Sequence, residues 1–492
     1  MSTEQDSSSS WLRRWIPREA ESVAVLGEPP SWVAEALPPS LALALDGSEP
    51  HERTDVAIVS PRDDPHSDPR SHPQSDPQGG PTETVALLGR AARLLAPRGR
   101  LLLVHPDGGT STAIETLECW LLEAGFVLRP ASLGGAGAGN RFAADYDGYS
   151  IRPYRPGDEA EILELFRRSF HLERPLAHWS WKYEANPQGS RHISLARDPA
   201  GRLVGQYCAY PVRFHRSGAP RPARDSHLVH DSHLVHDSHL VHQVGDTMTA
   251  PEVRSVGRGP TSILARTSRH FYSAFCRGRV QFNYGFNTGN IQKFSMRFVG
   301  ATKVEEVPFR RRDLERRPPR PRRHLLGRDR IVSSPTPGEL DALWRRAHGD
   351  YGSLVVRDSQ YVRWRYLDCP DQDYILIGAE RRGRLVGWSV FSRRADQLVW
   401  GDLLLDRSET PCLETLLSEG VRRLDPGGEL RSIVGWFPPR PAWLDALLET
   451  SGFERRREPQ ELGLMVVPFD DPSAPEHCAS DFFYTYGDSD LF

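Results

Sequence analysis

Arg254-Ser255-Val256-Gly257-Arg258-Gly259 lies between an apolar stretch that predicts a strand, Leu240 to Thr249, and one that predicts a helix, Pro260 to Cys276. A strand, a glycine-containing turn and a helix start make an anion site by geometry alone. The first amides of a helix have no acceptor inside it, and the helix dipole favours negative charge there. Gly257 and Gly259 let the main chain approach a phosphate closely. An ordinary strand-to-helix turn is the plainer reading of the same six residues.

Outward from this turn, two long blocks carry the same landmarks in the same order. Trp181-Lys182-Tyr183 with Pro187 matches Trp364-Arg365-Tyr366 with Pro370, 183 residues further on. Gly201-Arg202-Leu203-Val204-Gly205 matches Gly383-Arg384-Leu385-Val386-Gly387 letter for letter. Gly245-Asp246 matches Gly401-Asp402, and Tyr284-Gly285-Phe286 matches Val434-Gly435-Trp436. A helix and then a glycine, Gly300 or Gly452, follow each of the last pair. Four ordered landmarks predict a tandem duplication of one α/β unit. Each unit is expected to run as helices (Pro156 to Phe170; Thr336 to His348), a hairpin at G-R-L-V-G, then strand, helix, strand and helix. The second unit lacks the turn and has Arg407-Ser408-Glu409-Thr410-Pro411 instead.

Composition narrows the partners. The chain has 492 residues, 38% hydrophobic and 26% charged, with net charge -3, so nothing draws it broadly toward nucleic acid. Three lysines among 62 basic residues, with 41 Gly and 41 Pro, fit a high-GC bacterial genome. Six scattered cysteines form no C-x-x-C pair, which fits a reducing cytoplasm and argues against a thiolate metal site. There is no apolar run of about 18 residues, so no membrane span is expected. The basic link 313–329 reads as a solvated tether. Asp225-Ser226-His227-Leu228-Val229-His230 recurs three times through His242 and reads as slippage that lengthened a loop, so no metal is expected.

The spacing R-x-x-G-x-G between a strand and a helix resembles the acyl-CoA pyrophosphate loop of the GNAT superfamily of N-acetyltransferases, and the element order resembles theirs. The resemblance covers about two thirds of the chain. It implies acetyl transfer from acetyl-CoA to a primary amine, with acetyl-CoA as co-substrate. It assigns the acyl arm to the main chain of Met248, Thr249 and Val253, and the pyrophosphate to Val253, Arg254, Ser255, Val256, Gly257, Arg258 and Gly259. Thr261 would add a hydroxyl, Asn287 would bond the pantetheine, and Asp246 would be the general base. Pro260 removes one amide that the family commonly uses. The general acid is unassigned, because the position four before Gly300 is Met296; Ser295 and Tyr284 are the nearby hydroxyls. The alternative is a GNAT-fold pseudoenzyme that only binds.

Residues 1–145 read as strands near Val23 to Gly27, Leu41 to Leu45, Asp55 to Ser60 and Arg100 to Val104, with helices Trp32 to Leu37 and Thr84 to Leu95. Residues 61–81 form a low-complexity loop. The helix Thr84 to Leu95, leading through Pro97-Arg98-Gly99 into the strand Arg100 to Val104, resembles the back half of a class I methyltransferase; the resemblance covers about 120 residues and implies that an acid at a strand end, Asp46, would bond a ribose. The usual glycine loop is replaced by Gly27-Glu28-Pro29-Pro30, so a degenerate domain that no longer binds S-adenosylmethionine is expected. The fold expected overall is α/β: a Rossmann-like three-layer domain (1–145), then two tandem GNAT folds (149–312 and 330–492). The partner is a small-molecule or peptide amine, with neither nucleic acid nor membrane; the oligomeric state is open.

Overall fold

The computed structural model describes residues 14–16, 20, 22–27, 33, 37, 42–44, 54–60, 83–104, 118–129, 141–217, 238–314 and 330–492. The strands are β1 (Ser22–Gly27), β2 (Ala42–Ala44), β3 (Thr54–Ser60), β4 (Leu95–Val104), β5 (Phe126–Leu128), β6 (Arg141–Tyr146), β7 (Ser150–Pro153), β8 (Ile193–Arg197), β9 (Leu203–His215), β10 (Ser238–Thr249) and β11 (Phe282–Asn287). They continue as β12 (Thr302–Glu306), β13 (Phe309–Asp313), β14 (Arg330–Val332), β15 (Ser353–Val355), β16 (Ile375–Arg381), β17 (Arg384–Arg394), β18 (Gln397–Leu405), β19 (Ser432–Trp436), β20 (Glu454–Arg456), β21 (Gly463–Pro468) and β22 (Phe482–Phe483). The main helices are α1 (Glu83–Leu94), α2 (Glu159–Phe170), α3 (Leu176–Tyr183), α4 (Ile263–Phe271), α5 (Gly289–Phe298), α6 (Pro337–Ala347), α7 (Cys412–Leu424) and α8 (Ala442–Thr450).

Two compact units result. One comprises Met1–Leu165, Ser194–Gln206 and Met248–Ala274; the other comprises Phe166–Ile193, Tyr207–Thr247 and Phe275–Phe492. In the first, a sheet has the order β2-β1-β3-β4-β6-β5. β2, β1, β3 and β4 are parallel, and β6 runs antiparallel between β4 and β5. The order reverses at β1, as in doubly wound sheets. Successive strand residues face opposite ways, and both faces are covered. Val56, Ile58 and Leu102 pack with Trp15, Ile16 and Val33. Ala57, Val59 and Leu101 pack with Leu87, Leu88, Ala91 and Leu121. The strands and α1 lie within two residues of their expected starts, except that β4 begins earlier, at Leu95. Asp46, the 61–81 loop, the 225–237 part of the repeat and most of the 313–329 link lie outside the described residues, as do all but Val33 and Leu37 of the expected helix Trp32 to Leu37.

The second unit holds two sheets. Strands β12-β21-β11-β10-β9-β15-β22 follow one another in one, and β14-β16-β17-β18-β19-β13-β20 in the other. The hairpin expected at Gly383 to Gly387 is β16–β17, turning through Arg382 and Gly383 with φ of 52° and 73°. Two positive φ values mark the turn type that matches strand twist. Gly300 and Gly452, at φ 77° and 81°, stop α5 and α8 in the left-handed conformation that glycine adopts most readily. One feature departs from two separate copies. β21, from the end of the chain, inserts between β11 and β12. β13 inserts between β19 and β20 in return. The two segments therefore trade a strand, and neither sheet is complete without the other segment.

Fragments 1–314 and 330–492 each lack a strand of their own sheet. Made alone, 330–492 is not expected to unfold cooperatively in urea; co-expressed with 1–314, it should copurify. A 330–492 fragment with a cooperative transition of its own would contradict the exchange.

Candidate functional site

The turn after β10 lies in the first unit. Arg254, Ser255, Gly257 and Arg258 are exposed, while Val253 is buried beneath them. Gly257 and Gly259 have φ of 68° and 57°. A Cβ on Gly257 would fall 2.6 Å from the Thr261 carbonyl carbon, so only glycine fits. The Val256 amide donates to Val253 O and the Arg258 amide to Thr261 Oγ1, 3.0 and 3.1 Å. The amides of Gly257 and Gly259 have no acceptor among the described residues. Arg254 Nε donates to Thr249 O at 3.2 Å, and neither Arg254 nor Arg258 has a carboxylate partner among the described residues. Open glycine amides beside two guanidinium groups that lack a carboxylate partner among the described residues suit a phosphate ester.

The helix that follows starts later than expected. Ser262 caps α4, its Oγ accepting from the Ala265 amide at 3.4 Å, so the helix opens at Ile263. Pro260 lies in a separate short turn, Gly259–Thr261. The amide that proline lacks is therefore missing from this turn and not from the first turn of α4. The Thr261 hydroxyl bonds within the turn, to the Arg258 amide and carbonyl, instead of standing free. Arg269, on α4, reaches back to Pro260 O at 2.7 Å and fixes the turn to its helix. Met248 is buried and Thr249 half-buried at the end of β10.

In the second unit, β10 and β11 pair only at His242↔Asn283 and Gln243↔Tyr284. From Val244 onward β10 has left β11, which continues paired with β21 on its other side. Asp246 stands on this diverging stretch at φ 48°. Its side chain is 6% exposed. Lys182 Nζ and Tyr183 Oη donate to it at 2.9 and 2.7 Å, and Arg174 forms a third contact. Burial alone would raise this carboxyl, but the Lys182 and Arg174 charges outweigh it and hold it far below the usual carboxylate range. A carboxylate so stabilised is a weak proton acceptor.

The same side chains recur at the second landmark. Tyr366 Oη donates to Asp402 at 2.7 Å and Arg357 Nε at 2.9 Å. Arg174 and Arg357 are also 183 residues apart, a match absent from the sequence landmarks although the offset would have found it. Trp181 Nε1 donates to Trp364 O at 2.5 Å, and Trp364 Nε1 donates back to Trp181 O at 3.0 Å. The turn does not recur. After β18, Asp406 occupies that position with its own carboxylate, accepting the Ser408 amide at 3.1 Å and hydroxyl at 2.6 Å.

The tail residues 487–492 run between the two aspartates. Asp490 accepts the Asp246 amide at 3.1 Å, and Arg365 donates to Gly487 O and Ser489 O at 3.1 and 2.9 Å. A Cβ on Gly245 or Gly401 would collide with Asp490 or Phe492, respectively. Asp488 shares Arg357 with Asp402. Burial pushes its carboxyl up, Arg357 opposes this and Asp402 adds to it, to about 6. Asn287 ends β11 with its Nδ2 on Ser295 Oγ at 3.3 Å. Tyr284 is buried against Phe482 and Phe286, and burial raises its hydroxyl well above the ordinary value, which suits packing better than proton transfer. Met296 is exposed on α5.

No protein-family model matches this chain, and no curated protein matches it. Solved structures similar to it include N-acyltransferases. One is a probable N-acyltransferase from Enterococcus faecalis, 13% identical over 66% of this chain and 73% of that one, with a TM-score of 0.47. Another is a GNAT-family N-acetyltransferase from Kribbella flavida, at 15%, 66%, 73% and 0.44. A third is the N-myristoyltransferase of Saccharomyces cerevisiae with myristoyl-CoA bound, at 10%, 65%, 82% and 0.41. No helix among the described residues is long and apolar enough to cross a membrane.

Two outcomes follow. Asp246→Asn removes the carboxylate that Lys182 and Arg174 share, leaving Asp490, 3.7 Å from Lys182, as the remaining counter-charge, and should lower unfolding free energy in urea by about 3 kcal/mol, whereas Tyr183→Phe should cost about 1 kcal/mol. For Asp488, the unfolded carboxyl releases its proton near pH 4 and the folded one near 6. Stability therefore falls as pH rises across that window and levels off above it. Asp488→Asn should flatten this slope in urea midpoints measured on either side of the window.

Proposed function

We propose that the chain is an acyl-CoA-dependent N-acyltransferase whose turn Arg254 to Gly259 takes the pyrophosphate of acetyl-CoA. The observation that carries this reading is the pair of open amides, Gly257 and Gly259, flanked by arginines with no carboxylate partner among the described residues. The main chain of Met248 and Thr249, just before the turn in the same unit, offers groups to the amides of the pantetheine arm. The acceptor is a primary amine on a small molecule or peptide. In this proposal the chain is a tandem GNAT arrangement, residues 149–312 working and residues 330–492 supporting. Residues 1–145 are a methyltransferase-like domain whose cofactor site has decayed.

Asp246 enters the proposal as the counter-charge of Lys182 and Arg174 and not as the base. Deprotonation of the amine then falls to solvent or to the acceptor's own acidity. That same observation favours a second reading, a fold that binds acyl-CoA without turning it over. Thiol release from acetyl-CoA, followed across a panel of primary amines, separates the two. Amine-dependent release that drops at least a hundredfold in Gly257→Ala is expected. Binding of acetyl-CoA with no release by any amine would leave the second reading standing.

A further inference from the structure

We propose that Cys119, Glu123 and His270 hold a divalent ion of the zinc class, a site separate from the anion turn. This departs from the expectation of no metal. Cys119 and Glu123 are four apart on the helix 118–123, so both face the same way. His270 comes from the last turn of α4. Their ligand atoms all lie within 4.8 Å of one another, and His270 Nε2 is 3.3 Å from Glu123 Oε1. Zinc bonds of about 2.0–2.1 Å in a tetrahedron space nitrogen and oxygen ligands about 3.3 Å apart.

Two further observations point to a ligand. The first is the other face of the histidine. Ser194 Oγ lies 2.8 Å from His270 Nδ1 and fixes the ring so that Nε2 faces the thiol and the carboxylate. An orienting partner on the far nitrogen is what metal-bound histidines carry. The second is the thiol itself, 4% exposed and with no hydrogen-bond partner among the described residues. The Glu118–Arg269 ion pair, 2.7 Å, joins the same two helices beside the site. Sulfur, imidazole and carboxylate together select zinc or cobalt over magnesium or calcium. Binding forms a metal–sulfur bond and releases the Cys119 proton to solvent. The ion then staples helix 118–123 to α4, the helix that carries the anion turn at its start.

The other three-ligand group, His178, Cys369 and Asp371, provides the control. There His178 Nδ1 sits 2.8 and 2.9 Å from the two Asp371 oxygens, closer than the 3.3 Å hydrogen bond of His270 to Glu123, and Asp371 is exposed where Cys119 and His270 are buried. The test is titration of the metal-free full-length chain with cobalt(II), followed by the charge-transfer absorption of a cobalt–thiolate bond. One equivalent is expected to bind. The band should vanish in Cys119→Ala, persist in Cys369→Ala, and need at least tenfold more metal in Ser194→Ala. His270→Gln gives a second probe should Cys119→Ala not fold. Absence of the band in the parent, or its loss in Cys369→Ala and survival in His270→Gln, would overturn the proposal.

Discussion

A buried aspartate needs its charge answered, and this requirement organises the larger unit twice. Arg174, Lys182 and Tyr183 close on Asp246; Arg357 and Tyr366 close on Asp402. Each aspartate sits where its strand has just passed a glycine, and the tail 487–492 approaches both glycines too closely for any side chain. The exchanged donors of Trp181 and Trp364 then lock the two helical turns that present these groups. Breaking one charge pair leaves buried ions unpaired, a far larger cost than that of an ordinary surface contact. The same contacts hold the tail, through Asp490 on the Asp246 amide and Arg365 on Gly487 O and Ser489 O.

Against that near-symmetric frame, the two strand ends differ sharply. After β10 the turn is open: glycine amides face outward, with arginines beside them. After β18 the chain fills its own turn with the Asp406 carboxylate, which is itself held by Arg346. One turn thus carries its own carboxylate, and the other leaves its glycine amides without an acceptor among the described residues. Pro260 leaves the first turn of α4 untouched, because that helix begins three residues beyond it.

Much of the frame was legible in the sequence because it rests on local chemistry. Hairpin glycines, helix-stopping glycines and strand alternation are short-range, and they located the elements to within a few residues. The repeated W-[KR]-Y and G-D pairs were visible as letters, and their equivalence emerged as matching hydrogen bonds. The strand exchange was not legible, since only long-range pairing places β13 and β21. The ion pairs of Asp246 were not legible for a related reason. Arg174 lies 72 residues from it in the chain, and nothing near the aspartate in the sequence announces two cations. The start of α4 depended on Ser262 capping more effectively than Pro260 could begin a helix, a competition that composition alone does not settle.

The central claim is that the turn Arg254 to Gly259 binds the pyrophosphate of an acyl-CoA. Calorimetric titration of the purified chain with acetyl-CoA, alongside Gly257→Ala and Arg254→Ala, tests it most directly. Micromolar binding by the parent, none by Gly257→Ala and at least tenfold weaker binding by Arg254→Ala is the expected result. Binding of equal strength by all three, or no binding of acetyl-CoA by the parent, would contradict it.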